Sequence, residues 1–351
     1  MPQQRSTMLD MTRGLAIFMV VSFHYFPNKV TTIGWTGVNL FFVLSGYLIG
    51  GILIDNRTSD AYFGTFYARR CFRIVPLYAL NVLLFAAIAG LDQPLWRYAL
   101  FVQNLSWISE GTVSLSWMSP TWSLAVEEQF YLILPLLIRL TPPVRLPYLA
   151  GSLILAAPAY RLVMTQLLGT DWPAANQVLP GCLDSLFLGV LAAWAVREPR
   201  ALAALQRRQV WLWLLSGVGL LGVVAFFCDT PDPGSWVSLV GISWIAVTYA
   251  LIFMSVLMRN GTGSGGRGPL CALGIGAYSI YLFHVPIASA LEGLFASTLI
   301  GHAVAVPIVA LIAALCWYGV ESPLISYARR RWRYEPDAHG TPAVAAVATA
   351  P

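Results

Sequence analysis

The chain has 351 residues, of which 58% are hydrophobic and only 11% are charged. Soluble domains average about 25% charged residues, so this composition excludes a water-soluble globule and predicts an all-α protein that crosses a membrane several times. The net charge of +5 does not call for a nucleic acid partner, because basic residues also orient helices in a membrane.

The hydrophobic segments predict about ten transmembrane helices, since each crossing takes about 20 largely apolar residues. The first segment is interpreted as a retained span. No small-x-small cleavage site follows Phe26, and a second apolar run begins at Trp35. The ten predicted spans cover residues 14–30, 35–55, 72–91, 121–140, 146–168, 179–197, 210–228, 236–258, 270–291 and 300–320.

The basic residues predict the orientation of these spans. If the N-terminus is cytoplasmic, all of the 21 lysines and arginines fall in cytoplasmic segments except Lys29, Arg97 and Arg161. The positive-inside rule then puts both termini in the cytoplasm. We predict a single transmembrane domain over residues 1–334 and a disordered cytoplasmic tail over 335–351, which is rich in proline and alanine.

The first apolar segment carries two ionisable residues, Arg13 and His24. Ionisable groups inside a span are costly, so each is a candidate for function. Eleven residues separate the two, so both point the same way on a helix, about 16 Å apart along its axis. One helix face would then carry Arg13 at the cytoplasmic rim, where it could bind phosphate, and His24 past the middle of the membrane, where the reaction could occur. The alternative is an anchoring arginine and a buried structural histidine.

Two more charged pairs stand in the third and fourth segments. Arg70 and Arg73 are three residues apart and share a helix face, where they could bind phosphate groups or only anchor the helix. Glu127 and Glu128 are adjacent, so about 100° separates them on a helix. One can face a binding partner while the other braces a neighbouring helix, or both can belong to a structural network.

The ninth and tenth segments carry Tyr281, His284 and Glu321. A structural, water-facing or catalytic role is open for His284. Glu321 stands two residues before Pro323, which should break or kink the helix and leave backbone groups open beside a carboxylate. The cysteines lack the spacing of a metal cluster, so no metal is predicted.

Seven motifs follow one another in the order LDMTRGLAIFMVVSFHYF, WTGVNLFFVLSGYLIGG, RRCFRIVPLY, WSLAVEEQFYLILPLL, LDSLFLGVL, YSIYLFHVPI and ESP. Together they resemble the acyltransferase-three family of bacterial integral-membrane O-acyltransferases over residues 9–333. The resemblance implies a protein of the bacterial inner membrane. It also implies transfer of an acyl group, most commonly acetyl, from cytoplasmic acyl-CoA to a hydroxyl of the acceptor.

By position, the resemblance implies an essential role for His24, with Arg13 as its partner. It also implies that Arg70 and Arg73 are the paired basic motif and that Glu321 is the acidic residue of the last segment.

Two positions depart from the family pattern. Asn39 stands where many relatives have aspartate, and Gly181 and Cys182 precede Asp184 where an arginine is expected.

Acyl transfer from a thioester to a hydroxyl needs a base near neutral pH, and histidine fits that requirement. We therefore expect His24 to deprotonate the acceptor, while Arg13, Arg70 and Arg73 hold the anionic acyl-CoA. An acyl-histidine intermediate is the alternative. Further substrate contacts are expected from five residues, with Ser45 and Tyr281 as candidates for stabilising the oxyanion: Ser45, Glu127, Glu128, Tyr281 and His284.

The acceptor is predicted to be a carbohydrate, such as an exopolysaccharide, lipopolysaccharide or glycolipid unit. A small molecule such as a macrolide is an alternative acceptor. A non-enzymatic transporter of a glycan or lipid is the alternative from another class, because intramembrane charges suit it too. The sequence shows no internal repeat of the kind many transporters have.

Overall fold

The computed structural model describes residues 7–91, 93–110, 117–227, 237–260, 268–292 and 294–334. In these ranges the chain forms α-helices joined by short 3-10 and π-helical turns, and no strand occurs among them. The predicted disordered tail, 335–351, lies outside the described residues. The α-helices of the described part, numbered in chain order, are α1 (Thr7–Tyr25), α2 (Gly37–Asp55), α3 (Tyr62–Ala89), α4 (Leu95–Ala99), α5 (Ser106–Ser109), α6 (Thr121–Leu140), α7 (Leu146–Leu162), α8 (Trp172–Asn176), α9 (Leu179–Ala195), α10 (Pro199–Arg207), α11 (Gln209–Phe227), α12 (Ile242–Asn260), α13 (Pro269–Ile275), α14 (Ala277–Leu291), α15 (Thr298–Cys316) and α16 (Ser322–Arg331).

Within the described ranges, seven helical segments are long and apolar enough to cross a membrane. An eighth is formed if α13 and α14, which meet at an angle of 81°, count as one broken span. The protein is therefore an all-helical, multi-pass membrane protein. The seven segments are Thr31–Asp55, Tyr62–Ala89, Leu146–Leu167, Trp172–Ala195, Gln209–Phe227, Leu239–Arg259 and Thr298–Arg331.

The predicted count of ten spans is not confirmed by length and hydropathy. Helices α1 and α6 are 19 and 20 residues long, yet neither belongs to the apolar set. The physical reason is their polar content: α1 carries Arg13 and His24, and α6 carries Glu127 and Glu128. Both of these long helices therefore hold candidate site residues.

Close helix crossings depend on glycine. A Cβ atom added at Gly46 of α2 would lie 1.9 Å from the carbonyl oxygen of Leu186 on α9. One added at Gly14 of α1 would lie 1.9 Å from the carbonyl oxygen of Leu270 on α13. Lipid gives little hydrophobic force between helices, so such backbone contacts are a main source of helix association. They fix α1 and α2 in the bundle.

The last long helix does not break at Pro323, which corrects the expectation from the sequence. The helix instead widens into a π-helical turn over Trp317–Glu321, in which the Ser322 N–H donates to the Trp317 carbonyl. Pro323 then lies in the first turn of α16, where its missing N–H costs little. Such π turns recur at functional sites, and this one ends at Glu321.

Candidate functional site

A cavity of about 130 Å³ lies between α1, α2, α3, α6, α14 and the π-helical turn. Helix α2 provides its longest wall. Residues at helical spacing from Val38 to Ile52 line the cavity, and fourteen steps of about 1.5 Å correspond to about 21 Å along the axis. The cavity is therefore long enough for an extended chain of that length.

Five of the predicted charged residues meet at this cavity: Arg13, Arg70, Arg73, Glu127 and Glu321. Arg13 Nη1 lies 3.3 Å from Asp10 Oδ1. In the part of the chain that the structure describes, neither Arg70 nor Arg73 lies within ion-pair distance of a carboxylate. Their positive charges therefore face the cavity, where an anionic ligand would neutralise them.

Glu127 reaches the cavity as part of a hydrogen-bonded group. The Tyr131 hydroxyl lies 3.2 Å from Glu127 Oε2 and is also hydrogen-bonded to the Ser45 hydroxyl. All three side chains line the cavity. Sequence reasoning assigned Ser45 and Glu127 but missed Tyr131, although its position four residues after Glu127 puts it on the same helix face.

Glu128 is separated from Glu127, as adjacent positions on a helix require. It does not line the cavity, and its Oε1 atom is buried without a hydrogen-bond partner among the described residues. The structure therefore does not support the predicted substrate contact for Glu128.

Glu321 is buried at the end of the π-helical turn, where it is 4% exposed. The Ser279 hydroxyl of α14 donates a hydrogen bond to Glu321 Oε1. This bond joins the last long helix to the helix that carries Tyr281 and His284. The carboxylate is thus held at the cavity by a neighbouring helix as well as by its own backbone.

Tyr281 lines the cavity, and its ring centroid lies 6.3 Å from that of Phe41 on α2. Its hydroxyl donates to the Pro120 carbonyl at 2.7 Å and lies 2.6 Å from the Ser123 hydroxyl. Ser45 is four residues from Phe41, about 6 Å away along α2. The two candidates for stabilising an oxyanion therefore stand at different depths.

His24 and His284 contact each other but do not line the cavity. His24 Nδ1 lies 3.3 Å from His284 Nε2. His284 is fully buried, and its ring centroid is 5.7 Å from that of Tyr281. The expectation that one face of α1 leads from Arg13 to His24 along one cavity is therefore not met, because Arg13 lines the cavity and His24 does not.

A second buried group of charges joins α7, α9 and the start of α12. Arg161 Nη2 lies 2.8 Å from Asp184 Oδ2 and 2.7 Å from the Ser243 hydroxyl, which itself donates to Asp184 Oδ2. Arg161 Nη1 donates to the Gly181 carbonyl. No arginine precedes Asp184 directly in the sequence, and its arginine partner in the structure comes from α7. The sequence feature that could have predicted this pair is that Arg161 and Asp184 carry opposite charges and each lies inside an apolar segment.

This arrangement defines a helical membrane protein with an arginine-lined cavity beside a histidine pair. The chain belongs to the family described as Acyltransferase domain, which matches residues 7–321. It is 28% identical to "Putative peptidoglycan O-acetyltransferase YrhL" of Bacillus subtilis (strain 168), covering 80% of this chain and 48% of the relative. It is 24% identical to "O-acetyltransferase OatA" of Staphylococcus aureus (strain NCTC 8325 / PS 47), covering 90% and 56%.

The chain therefore spans about half the length of these two relatives. It is also 28% identical to "Putative membrane-bound transacylase BcsY" of Komagataeibacter xylinus, covering 81% of this chain and 73% of that protein. No solved structure matches the chain.

Proposed function

We propose that the protein is a membrane O-acetyltransferase that moves the acetyl group of acetyl-CoA to a hydroxyl of a carbohydrate. The observation that carries this proposal is the cavity, about 21 Å long along α2, to which Arg70 and Arg73 present their charge without a carboxylate partner among the described residues. Acetyl-CoA combines anionic phosphates with a long arm, which is the shape and charge that such a cavity fits. The names of the relatives favour a glycan acceptor.

The proposed topology has ten crossings, with both termini in the cytoplasm of a bacterium and the bundle in its inner membrane. Helices α1 and α6 would be the two additional crossings, tolerated because their polar residues face other helices or the cavity. Arg13, Arg70 and Arg73 then belong to the cytoplasmic half of the bundle, from which acetyl-CoA enters. The end of α2 near Ile52 would face that side.

His24 is the proposed base. Its imidazole takes the proton of the acceptor hydroxyl as the hydroxyl oxygen attacks the thioester carbonyl. The C–S bond breaks, the coenzyme leaves as a thiolate, and the proton on His24 passes to the sulfur. Since Tyr281 lines the cavity and contacts His284, we propose that its ring moves away from Pro120 so that the thioester can reach His24.

Glu321 and Glu127 are proposed to shape the cavity chemically. Their carboxylates line the same cavity as three arginines, so they limit the net positive charge and orient the guanidinium groups toward the donor. Ser45 and Tyr131 would contact the arm of the donor rather than the reacting carbonyl, because of their distance from Tyr281.

The test is acetyl transfer by the purified protein in liposomes, followed as release of free CoA with and without a peptidoglycan or polysaccharide fragment. The wild type should release CoA only when an acceptor is present. His24→Ala should lower kcat by about 10²- to 10⁴-fold, the usual contribution of a general base. Phe18→Ala, at an exposed position of the same helix, is the matched control and should leave kcat unchanged.

Full activity of His24→Ala at normal protein levels would remove His24 from the mechanism. Uptake of the glycan without CoA release would indicate a transporter, and release only with a macrolide would change the acceptor class.

A further inference from the structure

Histidines from three different helices meet at one end of α1. His24 contacts His284, and the Tyr25 hydroxyl donates to the backbone carbonyl of His284. His302 Nδ1 lies 2.7 Å from the Tyr25 carbonyl, and the two rings stack. The chain has four histidines, and the fourth, His339, lies outside the described residues. So dense a group raises the question of which ring nitrogens carry protons.

The hydrogen-bond partners answer that question. His24 Nδ1 lies 2.9 Å from the Val20 carbonyl oxygen, and His284 Nδ1 lies 2.8 Å from the Tyr281 carbonyl oxygen. A carbonyl oxygen can only accept a hydrogen bond, so each Nδ1 has to carry the proton. In a neutral imidazole the other nitrogen, Nε2, then holds a lone pair. Both rings are thereby assigned the same tautomer.

This assignment gives the contact between the two rings a direction. His24 Nδ1–H is shared between two acceptors, the Val20 carbonyl oxygen at 2.9 Å and His284 Nε2 at 3.3 Å. In the described part of the chain, His24 Nε2 has no hydrogen-bond partner. His24 is thus held with its basic nitrogen directed away from His284 and available to a substrate.

From this geometry we propose that His284 is a positioning residue for His24. Together with the Val20 carbonyl, it holds the Nδ1–H tautomer of His24 so that Nε2 is the atom that takes the acceptor's proton, an inference that rests on the proposed transfer reaction. When His24 becomes an imidazolium, its Nδ1–H remains shared between Val20 and His284. Two neutral acceptors then stabilise the charge without the cost of burying a carboxylate beside it.

The position of His284 is itself fixed by neighbouring helices. Pro286 has no N–H, so it leaves the Leu282 carbonyl without its helical partner, and the Asn81 side chain of α3 donates to that carbonyl at 3.0 Å. The Tyr25 hydroxyl holds the next turn of the same helix. Because α14 is held on both sides, His284 Nε2 is a stationary acceptor that His24 has to meet.

The test compares His284→Gln with His284→Met. The two side chains have similar length and flexibility, but only glutamine offers a strong acceptor to His24 Nδ1–H. We expect His284→Gln to stay within about tenfold of the wild-type kcat. His284→Met should lose about 10²-fold or more, as expected when a catalytic histidine takes the wrong tautomer. KM for acetyl-CoA should be unchanged in both.

A second readout does not depend on turnover. In protein labelled with ¹⁵N-histidine, nitrogen chemical shifts from solid-state NMR report the tautomer of each ring, and His24→Gln identifies the signal of His24. The wild type should show His24 as Nδ1–H alone, whereas His284→Met should show a mixture of tautomers.

Equal kcat in the glutamine and methionine variants, or an unchanged His24 tautomer in His284→Met, would overturn the proposal. A wild type that never transfers acetyl groups would overturn the proposed function instead, and the spectra would still test the contact.

Discussion

Two groups of charged side chains lie inside the helix bundle, and they differ in what they face. Arg161 and Asp184 are fully buried and paired at 2.8 Å, and Ser243 bonds to both. Arg70 and Arg73 instead line the cavity. A charge inside a membrane is costly in either place. In the first group, the pairing of Arg161 with Asp184 offsets that cost. In the second group, a bound anionic ligand would offset it.

The sequence alone does not distinguish intramembrane charges that hold helices together from those that bind a ligand. Both groups are arginines and carboxylates within apolar segments, and both satisfy the general rule that intramembrane charge marks function. Pairing indicates that Arg161 and Asp184 hold three helices together. Substitutions in that group should therefore destabilise the fold, while substitutions at the cavity should change activity in a protein that still folds.

The largest expected effect is on the Arg161–Asp184 pair. Arg161→Met or Asp184→Leu alone leaves one buried charge unpaired and should lower the free energy of unfolding by about 3–5 kcal/mol. The double variant removes both charges and should be more stable than either single variant. Thermal unfolding in detergent measures all three. A double variant as unstable as the sum of the single ones would contradict the pairing.

The next effect concerns the hydrogen bond from Ser279 to Glu321. A hydrogen bond to a charged group is worth about 1.5–3 kcal/mol, so Ser279→Ala should lower kcat/KM by roughly 10- to 150-fold if the carboxylate serves the reaction. Ser152→Ala is the matched control, because that hydroxyl is exposed and bonds only to its own helix. Steady-state kinetics with acetyl-CoA is the measurement. Unchanged kcat/KM would remove Glu321 from the site.

A smaller effect is expected at the crossing of α2 and α9. Gly46→Ala puts a methyl group against the Leu186 carbonyl oxygen, and such overpacking costs about 1–3 kcal/mol. Gly64→Ala in α3 is the control, since a Cβ there meets nothing within 4 Å. Chemical unfolding of the two variants tests the close approach, and equal stability would contradict it.

The smallest effect belongs to an ion pair outside the spans. The hydrogen bond from Arg97 holds the pKa of the Glu110 carboxyl below its ordinary value of 4.5. A lowered carboxyl pKa stabilises the folded state at pH values above the ordinary pKa. This contribution is lost as the pH falls through the lowered pKa. The pair is exposed, so the effect is small. The Tm difference between wild type and Glu110→Gln should shrink on going from pH 7 to pH 3; a constant difference would contradict this.

Local spacing in the sequence predicted part of the site. Arg70 and Arg73 are three residues apart and do line one cavity, and adjacency correctly separated Glu127 from Glu128. These predictions depend only on helix periodicity, which the backbone fixes within one element. The predicted break at Pro323 does not occur, because the helix continues through a π-helical turn and Pro323 lies in the first turn of α16.

Contacts between helices that are distant in the sequence could not be predicted from it. His24 and His284 are 260 residues apart, and no pattern within either segment shows that they meet. The same holds for Arg161 and Asp184, whose pairing depends on how α7 packs against α9. The position of Tyr281, which lines the cavity and contacts His284, likewise depends on its bond to Pro120. Periodicity gives the face of a helix, whereas tertiary packing decides what that face meets.

The central claim is that the cavity arginines bind the acyl donor, whereas His24 acts only in the chemical step. Equilibrium binding of CoA to the purified protein, by isothermal titration calorimetry, tests it directly. Loss of one charge-assisted bond costs about 1.5–3 kcal/mol, so Arg70→Gln and Arg73→Gln should each weaken binding at least tenfold, while His24→Ala binds like the wild type. Wild-type affinity in both arginine variants would contradict the account.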